Sequence, residues 1–424
     1  MNPFKFVHAA DLHLDSPFRG LGSRIPDDVA EILRNATFDA YDRIVSLCIE
    51  ENVDALVIAG DVYDHETRSF RAQYRFIEGL NKLSEAGINS YICHGNHDPL
   101  DGWQSKLDFP EGCYRFGTKP ESYPLREAHP EEVLIHGISY PTRVVQNNLI
   151  PGFSDLKKAQ FNIGLIHANV DSDPNHDPYA PCTLDDLRQT GYDYWALGHV
   201  HTRKILNKEL PAVIYPGNPQ GRHINEDGPR GVYLVEVDHN GNIETEFRSM
   251  DLVRWNRITI DGSALETDQS LLDSLGAGFT DSLTQSEGRS VVTRVEITGP
   301  SPIHKTLIME DYANQVCEEL NAGYQFQNPF LLCERIDIFT TPIIEREELK
   351  NGNDFVSELL NLSDQISTDG SQISKIMESL ESPYKGGKVG RHAKDIFPSE
   401  EDIRGYLREA ENIILPDILP ESTE

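Results

Sequence analysis

Short apolar runs alternate with amphipathic helical stretches along the first half of the chain. The segments Phe4–Ala10 and Ala55–Ala59 have the length and composition of buried strands, and apolar residues recur with the helical period over Asp28–Glu50. A second helix is predicted from about Arg68 to Ala86, and further strands at Ser90–Cys93, Val133–Ile138, Asn162–His167, Tyr194–Leu197 and Ala212–Tyr215. This repetition predicts an α/β domain built on a largely parallel, buried sheet.

The pattern changes near Leu252, so we expect a first domain over residues 1–251. Residues 252–341 predict a smaller α+β module, with strands Arg257–Ile260, Ser290–Ile297 and Glu334–Phe339 and helices Ala264–Leu275 and Lys305–Leu320. Residues 342–424 predict a polar, helical C-terminal tail with two amphipathic faces, between Ile373 and Leu380 and between Ile403 and Ile414. These faces must be buried against the chain's own α+β module or against a partner protein.

The overall composition is that of an ordinary globular protein. Hydrophobic residues make up 38% of the 424 residues, and 31 glycines add to the apolar share. No run approaches the roughly 18 apolar residues of a membrane span, and charged residues and histidines come too early for a signal peptide. The 6 cysteines lie singly, without a CxxC pair, as is typical of a reducing compartment. We therefore expect a cytoplasmic protein that does not span a membrane.

The charge balance limits how the protein can bind a polyanion. With 38 basic against 69 acidic residues, the formal net charge is −31. A protein that held DNA on a broad basic face would have the opposite balance. If nucleic acid is the substrate, local cationic groups, bound metal ions or a partner protein must hold it.

Five short polar motifs follow the predicted strands of the first domain. They are Asp11-x-His13, Gly60-Asp61, Gly95-Asn96-His97-Asp98, His167 and Gly198-His199-Val200-His201. Taken singly, each is equally typical of a turn or of a buried polar residue. The carboxyl ends of strands in an α/β sheet meet at one crevice, however, so these side chains are expected to share a site. Imidazole, carboxylate and amide donors without cysteine favour manganese, iron or zinc.

Together these motifs resemble those of the calcineurin-like metallophosphoesterase superfamily over roughly the first 250 residues. The segments His8–Asp15 (HAADLHLD) and Tyr215–His223 (YPGNPQGRH) are similar to the SbcD-type DNA repair exonuclease branch, and within it to the YhaO-like group. The resemblance implies a four-layer α/β/β/α sandwich as the catalytic domain, followed here by the smaller α+β capping domain and the helical tail.

The resemblance also implies two divalent metal ions, with manganese as the expected metal. One ion would be held by Asp11, His13, Asp61 and His201, and the other by Asp61, Asn96, His167 and His199. Two ionised carboxylates against two divalent ions leave a charge of roughly +2, which attracts a phosphodiester in spite of the acidic chain. A hydroxide bound by both metals would be the nucleophile.

His97 is the expected catalytic residue that is not a metal ligand. The resemblance places it over the phosphate, where it stabilises the transition state or protonates the leaving oxygen, with Asp98 orienting it. A purely structural role for His97 stays open. Several relatives have a histidine three residues after the bridging aspartate, where this chain has Asp64 followed by His65. The role of these two residues is left open.

The leading functional hypothesis is therefore a two-metal phosphodiesterase acting on DNA, a SbcD-like repair nuclease that works with a SbcC-like ATPase subunit. A phosphodiesterase for a small ester, such as a cyclic nucleotide, is the alternative enzyme, since the same motifs occur there. A non-catalytic adaptor with a vestigial site is the alternative outside the enzymes. Exonuclease or endonuclease behaviour, the polarity of digestion and a homodimeric state stay open.

Overall fold

A computed structural model describes residues 1–21, 25–64, 69–102, 107–171, 179–343, 346–384 and 398–418. The strands are β1 (Phe4–Ala9), β2 (Ala55–Ala59), β3 (Asn89–Cys93), β4 (Cys113–Arg115), β5 (Glu121–Pro124), β6 (Val133–Gly137), β7 (Phe161–His167), β8 (Tyr194–Gly198), β9 (Lys204–Asn207), β10 (Ala212–Tyr215), β11 (Gly231–Val237), β12 (Ile243–Ser249), β13 (Val253–Asp261), β14 (Ser290–Ser301) and β15 (Leu331–Pro342). The α-helices are α1 (Asp27–Glu50), α2 (Phe70–Glu85), α3 (Leu184–Gln189), α4 (Asp268–Gln285), α5 (His304–Leu307), α6 (Tyr312–Tyr324), α7 (Arg346–Lys350), α8 (Phe355–Thr368), α9 (Gly370–Tyr384) and α10 (Glu400–Ile418).

Two 6-stranded sheets form the first part of the molecule, in the orders β12-β11-β1-β2-β3-β4 and β5-β6-β7-β8-β10-β9. Strands β1 to β4 pair in parallel, and so do β6, β7, β8 and β10. Strands β11 and β12 continue the first sheet in antiparallel pairing, as do β5 and β9 at the edges of the second. The parallel centre of each sheet confirms the α/β prediction.

The alternation of side chains along β2 shows how the layers are built. Val57 belongs to a core that also contains Ile163 and Leu165 of the second sheet, so the two sheets pack face to face. Leu56 and Ile58 point to the opposite face, where the apolar sides of α1 and α2 cover them. The outer face of the second sheet packs against α3 and the turn 150–153. The predicted four-layer α/β/β/α sandwich is confirmed.

The third sheet has the order β13-β14-β15 and belongs to the predicted α+β region. Two helices there differ from their predictions. Helix α4 runs through Gly276 and Gly278, which were expected to follow its end, because its apolar residues are buried along both halves, as Leu271 and Phe279 illustrate. The predicted helix Lys305–Leu320 is interrupted, since Asp311 has a φ of 61° that a helix does not accommodate.

By the density of its contacts the chain divides into two units. One contains Met1–Ile258, Gly276–Val295 and Asn314–Ile336, and the other contains Thr259–Leu275, Glu296–Ala313 and Asp337–Glu424. The predicted boundaries at residues 251 and 341 stay predictions.

The C-terminal tail, helices α7 to α10, is helical as predicted. Helices α8, α9 and α10 pack on one another, with Val356, Leu360 and Leu415 in their core. A capping box begins α10, because Ser399 N donates to Asp402 Oδ2 (2.7 Å) and Asp402 N donates to Ser399 Oγ (3.2 Å). None of the helices in the described ranges combines the length and hydrophobicity of a membrane span.

Candidate metal centre

Both sheets contribute to one cluster of polar side chains at the carboxyl ends of their strands. Asp11 and His13 follow β1, Asp61 follows β2 and Asn96 follows β3, while His167 ends β7 and the pair His199 and His201 follows β8. In groups of three, Asp11, His13, Asp61, His167 and His201 have ligand atoms within 4.8 Å of one another. Asn96 Oδ1 joins them, 2.9 Å from His167 Nε2 and 3.3 Å from His199 Nδ1. All of the predicted metal ligands therefore lie in one place, as expected from strand ends that meet at one crevice.

The backbone that carries these side chains is strained. Asp11, His13, Asp61 and His199 have φ values of 53°, 43°, 50° and 102°. Each such residue costs about 1–3 kcal/mol, and strain of this kind gathers at functional sites. Neighbouring loops hold it in place, since Asp11 N donates to Gly60 O (3.0 Å) and His13 N donates to Asp61 O (3.0 Å). The strained backbone thus directs these four side chains into the buried cluster, whereas an ordinary loop would leave them in solvent.

Two glycines make room for the cluster. A Cβ atom at Gly60, whose φ is 87°, would lie 2.5 Å from His167 Nδ1. A Cβ atom at Gly95 would lie 2.8 Å from the ring of His167. Both positions therefore require glycine, because any larger residue would displace His167 and, at Gly95, also the Asp61 carboxylate, which lies closer still.

The expected metal ligands divide into two halves that share Asp61, and Asp11 lies close to ligand atoms of both halves. The His201 half consists of Asp11, His13 and His201. His201 Nδ1 donates to Glu226 Oε1 (2.7 Å), so its Nε2 carries the lone pair and faces His13 Nε2 at 3.1 Å. Burial lowers the pKa of both imidazoles, so they are neutral ring donors of the kind that a cation binds.

The His167 half consists of Asn96, His167 and His199. His167 Nδ1 donates to the backbone carbonyl of Ala59 (3.0 Å), and burial lowers the pKa of His167 to about 4. Its Nε2 therefore carries a lone pair, which faces Asn96 Oδ1 at 2.9 Å and Asp61 Oδ2 at 3.4 Å. His199 Nδ1 lies 3.3 Å from the same Asn96 oxygen.

The donor chemistry fits divalent cations. Asp11 and Asp61 are buried carboxylates, and burial followed by their mutual repulsion raises the pKa of Asp11 well above its ordinary value. Burial likewise raises the pKa of Asp61 to about 7. Lone pairs and carboxylate charge that converge in a buried space are unfavourable unless a cation lies among them. Imidazole, carboxylate and amide oxygen are suitable ligands for manganese, iron or zinc.

His97 lies at the edge of this cluster, with 30% of its side chain exposed. Its backbone N–H donates to Asp61 Oδ1 (2.9 Å), and its Nδ1 lies 3.0 Å from Asp64 Oδ1. Burial lowers the pKa of His97, but the hydrogen bond to Asp64 and the charges of Asp61 and Asp64 raise it overall. With Nδ1 bound to Asp64, the ring can present Nε2–H to a substrate.

The predicted partner of His97, Asp98, has another position. Its carboxylate lies 2.9 Å from His94 Nδ1 and accepts hydrogen bonds from Gly95 N (2.7 Å) and Val62 N (3.0 Å), so it shapes the loop. In the structure the carboxylate that contacts the His97 ring is that of Asp64, whose role the sequence leaves open. His65 lies outside the described residues.

Glu226 and Arg222 border the centre. Arg222 belongs to the segment Tyr215–His223 that carries the resemblance, whereas none of the motifs contains Glu226. Glu226 ends the turn Ile224–Glu226, and the Arg222 guanidinium lies between Glu226 (3.5 Å) and Asp64 (3.6 Å). Burial raises the pKa of Glu226, but its hydrogen bonds to His201 and His223 and the charge of Arg222 hold that pKa well below the ordinary value. Their only sequence signal is their place in or beside the segment Tyr215–His223.

The fold and this centre together define a class, the calcineurin-like metallophosphoesterases. The sequence model of the calcineurin-like phosphoesterase family matches residues 4–203, and that of the middle domain of metallophosphoesterase YhaO matches residues 255–341. The chain is also 33% identical over 410 residues to the uncharacterized metallophosphoesterase YhaO of Bacillus subtilis, covering 96% of both chains. This chain therefore belongs to the calcineurin-like metallophosphoesterases, with a YhaO-like middle domain.

More distant relatives carry the name of a DNA repair protein. The chain is 28% identical over 335 residues to the DNA double-strand break repair protein Mre11 of Methanopyrus kandleri, covering 70% of this chain and 66% of that protein. It is 26% identical over 255 residues to the protein of the same name from Sulfurisphaera tokodaii, covering 58% of this chain and 62% of the relative.

Proposed function

We propose that this chain is a phosphodiesterase that acts on DNA with two divalent metal ions, preferably manganese, in the cytoplasm. The observation that carries the proposal is the convergence of unprotonated ring nitrogens and buried carboxylates in the two halves around Asp61. Such a cluster costs stability unless it binds cations. Asp11, His13, Asp61 and His201 would hold one ion, and Asp61, Asn96, His167 and His199 the other.

Bound metal ions supply positive charge for the phosphate oxygens and lower the pKa of a water molecule. The chain's own residues orient the reaction. His97, at the exposed edge, is in a position to donate a hydrogen bond to the phosphate or a proton to the leaving oxygen. Asp64 fixes the ring through Nδ1, and Asp98 keeps the loop of Asn96 and His97 in shape through its backbone contacts.

DNA is the proposed substrate because relatives named for double-strand break repair match more than half of this chain. The net charge of −31 argues that the chain does not hold long DNA alone. We assign this task to a SbcC-like ATPase subunit that docks on the C-terminal tail. Phe355, Tyr406 and Ile413 support this assignment, since each is a large apolar residue that the tail leaves exposed.

A paired assay tests the proposal. Purified chain is incubated with linear duplex DNA, hairpin DNA and a small phosphodiester such as bis(p-nitrophenyl) phosphate, with added manganese or with excess chelator. We expect metal-dependent cleavage of DNA ends or hairpins in addition to the small ester, and faster DNA cleavage with the ATPase subunit present. Cleavage of the small phosphodiester without cleavage of DNA would support the alternative small-ester enzyme, which the net charge of −31 favours. Undiminished hydrolysis in chelator would contradict both.

A further inference from the structure

The two halves of the centre differ in the groups that lie behind their histidines. In the His201 half, His201 Nδ1 donates to the carboxylate of Glu226 (2.7 Å). In the His167 half, His167 Nδ1 donates to the neutral backbone carbonyl of Ala59 (3.0 Å), and the nearby carboxylate of Asp11 lies beyond hydrogen-bond distance at 3.8 Å. A carboxylate partner raises the basicity of an imidazole ligand and fixes its tautomer. The His201 half therefore has the stronger imidazole donor.

Glu226 is held in a fixed position. It is 2% exposed, and its second oxygen accepts a hydrogen bond from Arg222 N (2.7 Å). Arg230 ties the same turn to the centre, since its Nε donates to the Glu226 carbonyl (3.1 Å) and its Nη1 donates to the His201 carbonyl. Nearby arginine charge compensates the buried carboxylate. Glu226 thus has both the contact and the rigidity needed to hold the His201 ring.

The charges of the donors point in the same direction. The expected ligands of the His201 half include the carboxylate of Asp11 in addition to the shared Asp61, whereas Asn96 in the His167 half is a neutral amide. Asp11 also lies 3.8 Å from His167, but at Nδ1, the nitrogen that donates to Ala59 O and therefore does not bind a cation. An additional negative charge at contact distance strengthens the binding of a cation, most of all in a buried site. The charge of the ligands and the acceptor behind the histidine therefore both favour tighter cation binding in the His201 half.

Resting on the function proposed above, we propose that Glu226 is a positioning residue that makes the His201 half the tighter of two unequal metal sites. The two ions then bind in order, with the His201 half filled first and the His167 half second. Glu226 acts through His201 and touches no substrate.

Titration of the metal-free full-length chain with Mn²⁺, followed by the electron paramagnetic resonance signal of the free ion, tests the inference. We expect two unequal binding steps. Glu226→Gln keeps an acceptor for His201 Nδ1–H but removes the charge, and should weaken the tighter step about tenfold. Glu226→Ala removes both and should weaken it up to about 100-fold. The weaker step should stay within about twofold of wild type, since no partner of His167 has changed.

Variants that lose one half identify the two steps. His201→Ala should remove the tighter step, and Asn96→Ala should impair the weaker one. Glu131→Gln is the matched control, because Glu131 also faces a histidine, His129 at 3.6 Å, but is 63% exposed on the surface. It should bind both ions like wild type. If Glu226→Ala does not fold, Glu226→Gln alone tests the role of Glu226, since glutamine has nearly the same shape as glutamate.

The outcomes separate this inference from the proposed function. Two bound ions with unchanged affinities in Glu226→Gln would overturn the role of Glu226 while leaving the metal centre intact. Equal weakening of both steps, or loss of the weaker step alone, would overturn it as well. A wild-type chain that binds no Mn²⁺ would overturn both proposals.

Discussion

The metal centre and the C-terminal tail place polar and apolar side chains in opposite ways. In the centre, Asp11 and His167 are entirely buried, although burying such groups is costly. In the tail, Ile413 is 71% exposed and Tyr406 52% exposed, although apolar residues gain from burial. The burial of polar groups in the centre and the exposure of apolar groups in the tail are thus both unfavourable in free energy when each region is considered alone. The centre needs cations among its donors, and the tail has apolar surface that a partner can cover.

The first prediction has the largest expected effect and removes the charge shared by both halves. Asp61→Asn keeps the shape of the side chain and an acceptor for His97 N–H, but removes the carboxylate that faces His13 at 3.8 Å and His167 at 3.4 Å. We expect hydrolysis to fall to background and both ions to bind weakly, as measured by turnover of a small phosphodiester and by metal content. The metal-free variant should unfold at no lower temperature than wild type, because a buried like-charge contact with Asp11 is relieved. Wild-type turnover in this variant would contradict the two-metal assignment.

The second prediction separates chemistry from metal binding within the centre. His97→Ala should retain two ions but lose about 10²–10⁴-fold in the rate of DNA cleavage, as is usual when a general acid is removed. Asp64→Asn should show a smaller loss in the same direction, since it leaves the ring in place but less well oriented. Both losses should shrink on a p-nitrophenyl ester, whose leaving group needs no proton.

A surface histidine provides the control for this prediction. His129 is half-exposed on the surface, where its Nδ1 lies 3.6 Å from Glu131 Oε1, so His129→Ala should cleave DNA at the wild-type rate. A drop in the metal content of His97→Ala to one ion would make His97 a ligand. An Asp64→Asn variant with wild-type DNA cleavage would remove Asp64 from the mechanism.

The third prediction has the smallest expected effect and concerns the tail. Leu360→Ala removes a fully buried side chain and should cost the tail about 2–5 kcal/mol in its free energy of unfolding. Ile413→Asp changes an exposed residue and should alter that free energy by less than about 0.5 kcal/mol. Neither should change the turnover of a small phosphodiester.

Binding of the ATPase distinguishes the two tail variants. We expect Ile413→Asp to reduce co-elution of the full-length chain with a SbcC-like ATPase, because a charge replaces apolar contact area. Undiminished co-elution of this variant, and of a matching Tyr406→Asp variant, would show that the exposed residues of α10 are not the docking surface.

The elements of the sandwich were largely predictable because their signals are local. Buried strands such as Ala55–Ala59 are continuous apolar runs, and the structure has this strand at the predicted bounds. The polar residues that follow each strand were recognisable for the same reason. Short edge strands such as Cys113–Arg115 and Lys204–Asn207 were not predicted. Their few residues show no alternation, and neighbouring strands determine their pairing.

The sequence by itself determined which residues lie at the strand ends and hence in the centre, since each ligand directly follows or ends its strand in the chain. Only the tertiary structure decided how those ligands are supported. Asp64 reaches His97 across 33 positions of the chain, and Glu226 reaches His201 across 25. Asp98, the nearest carboxylate in sequence to His97, instead binds the loop backbone. The hydrogen-bond partner of a buried group depends on which loops the sheets bring together. A periodic pattern in the sequence is local, so it does not show which distant loops become neighbours.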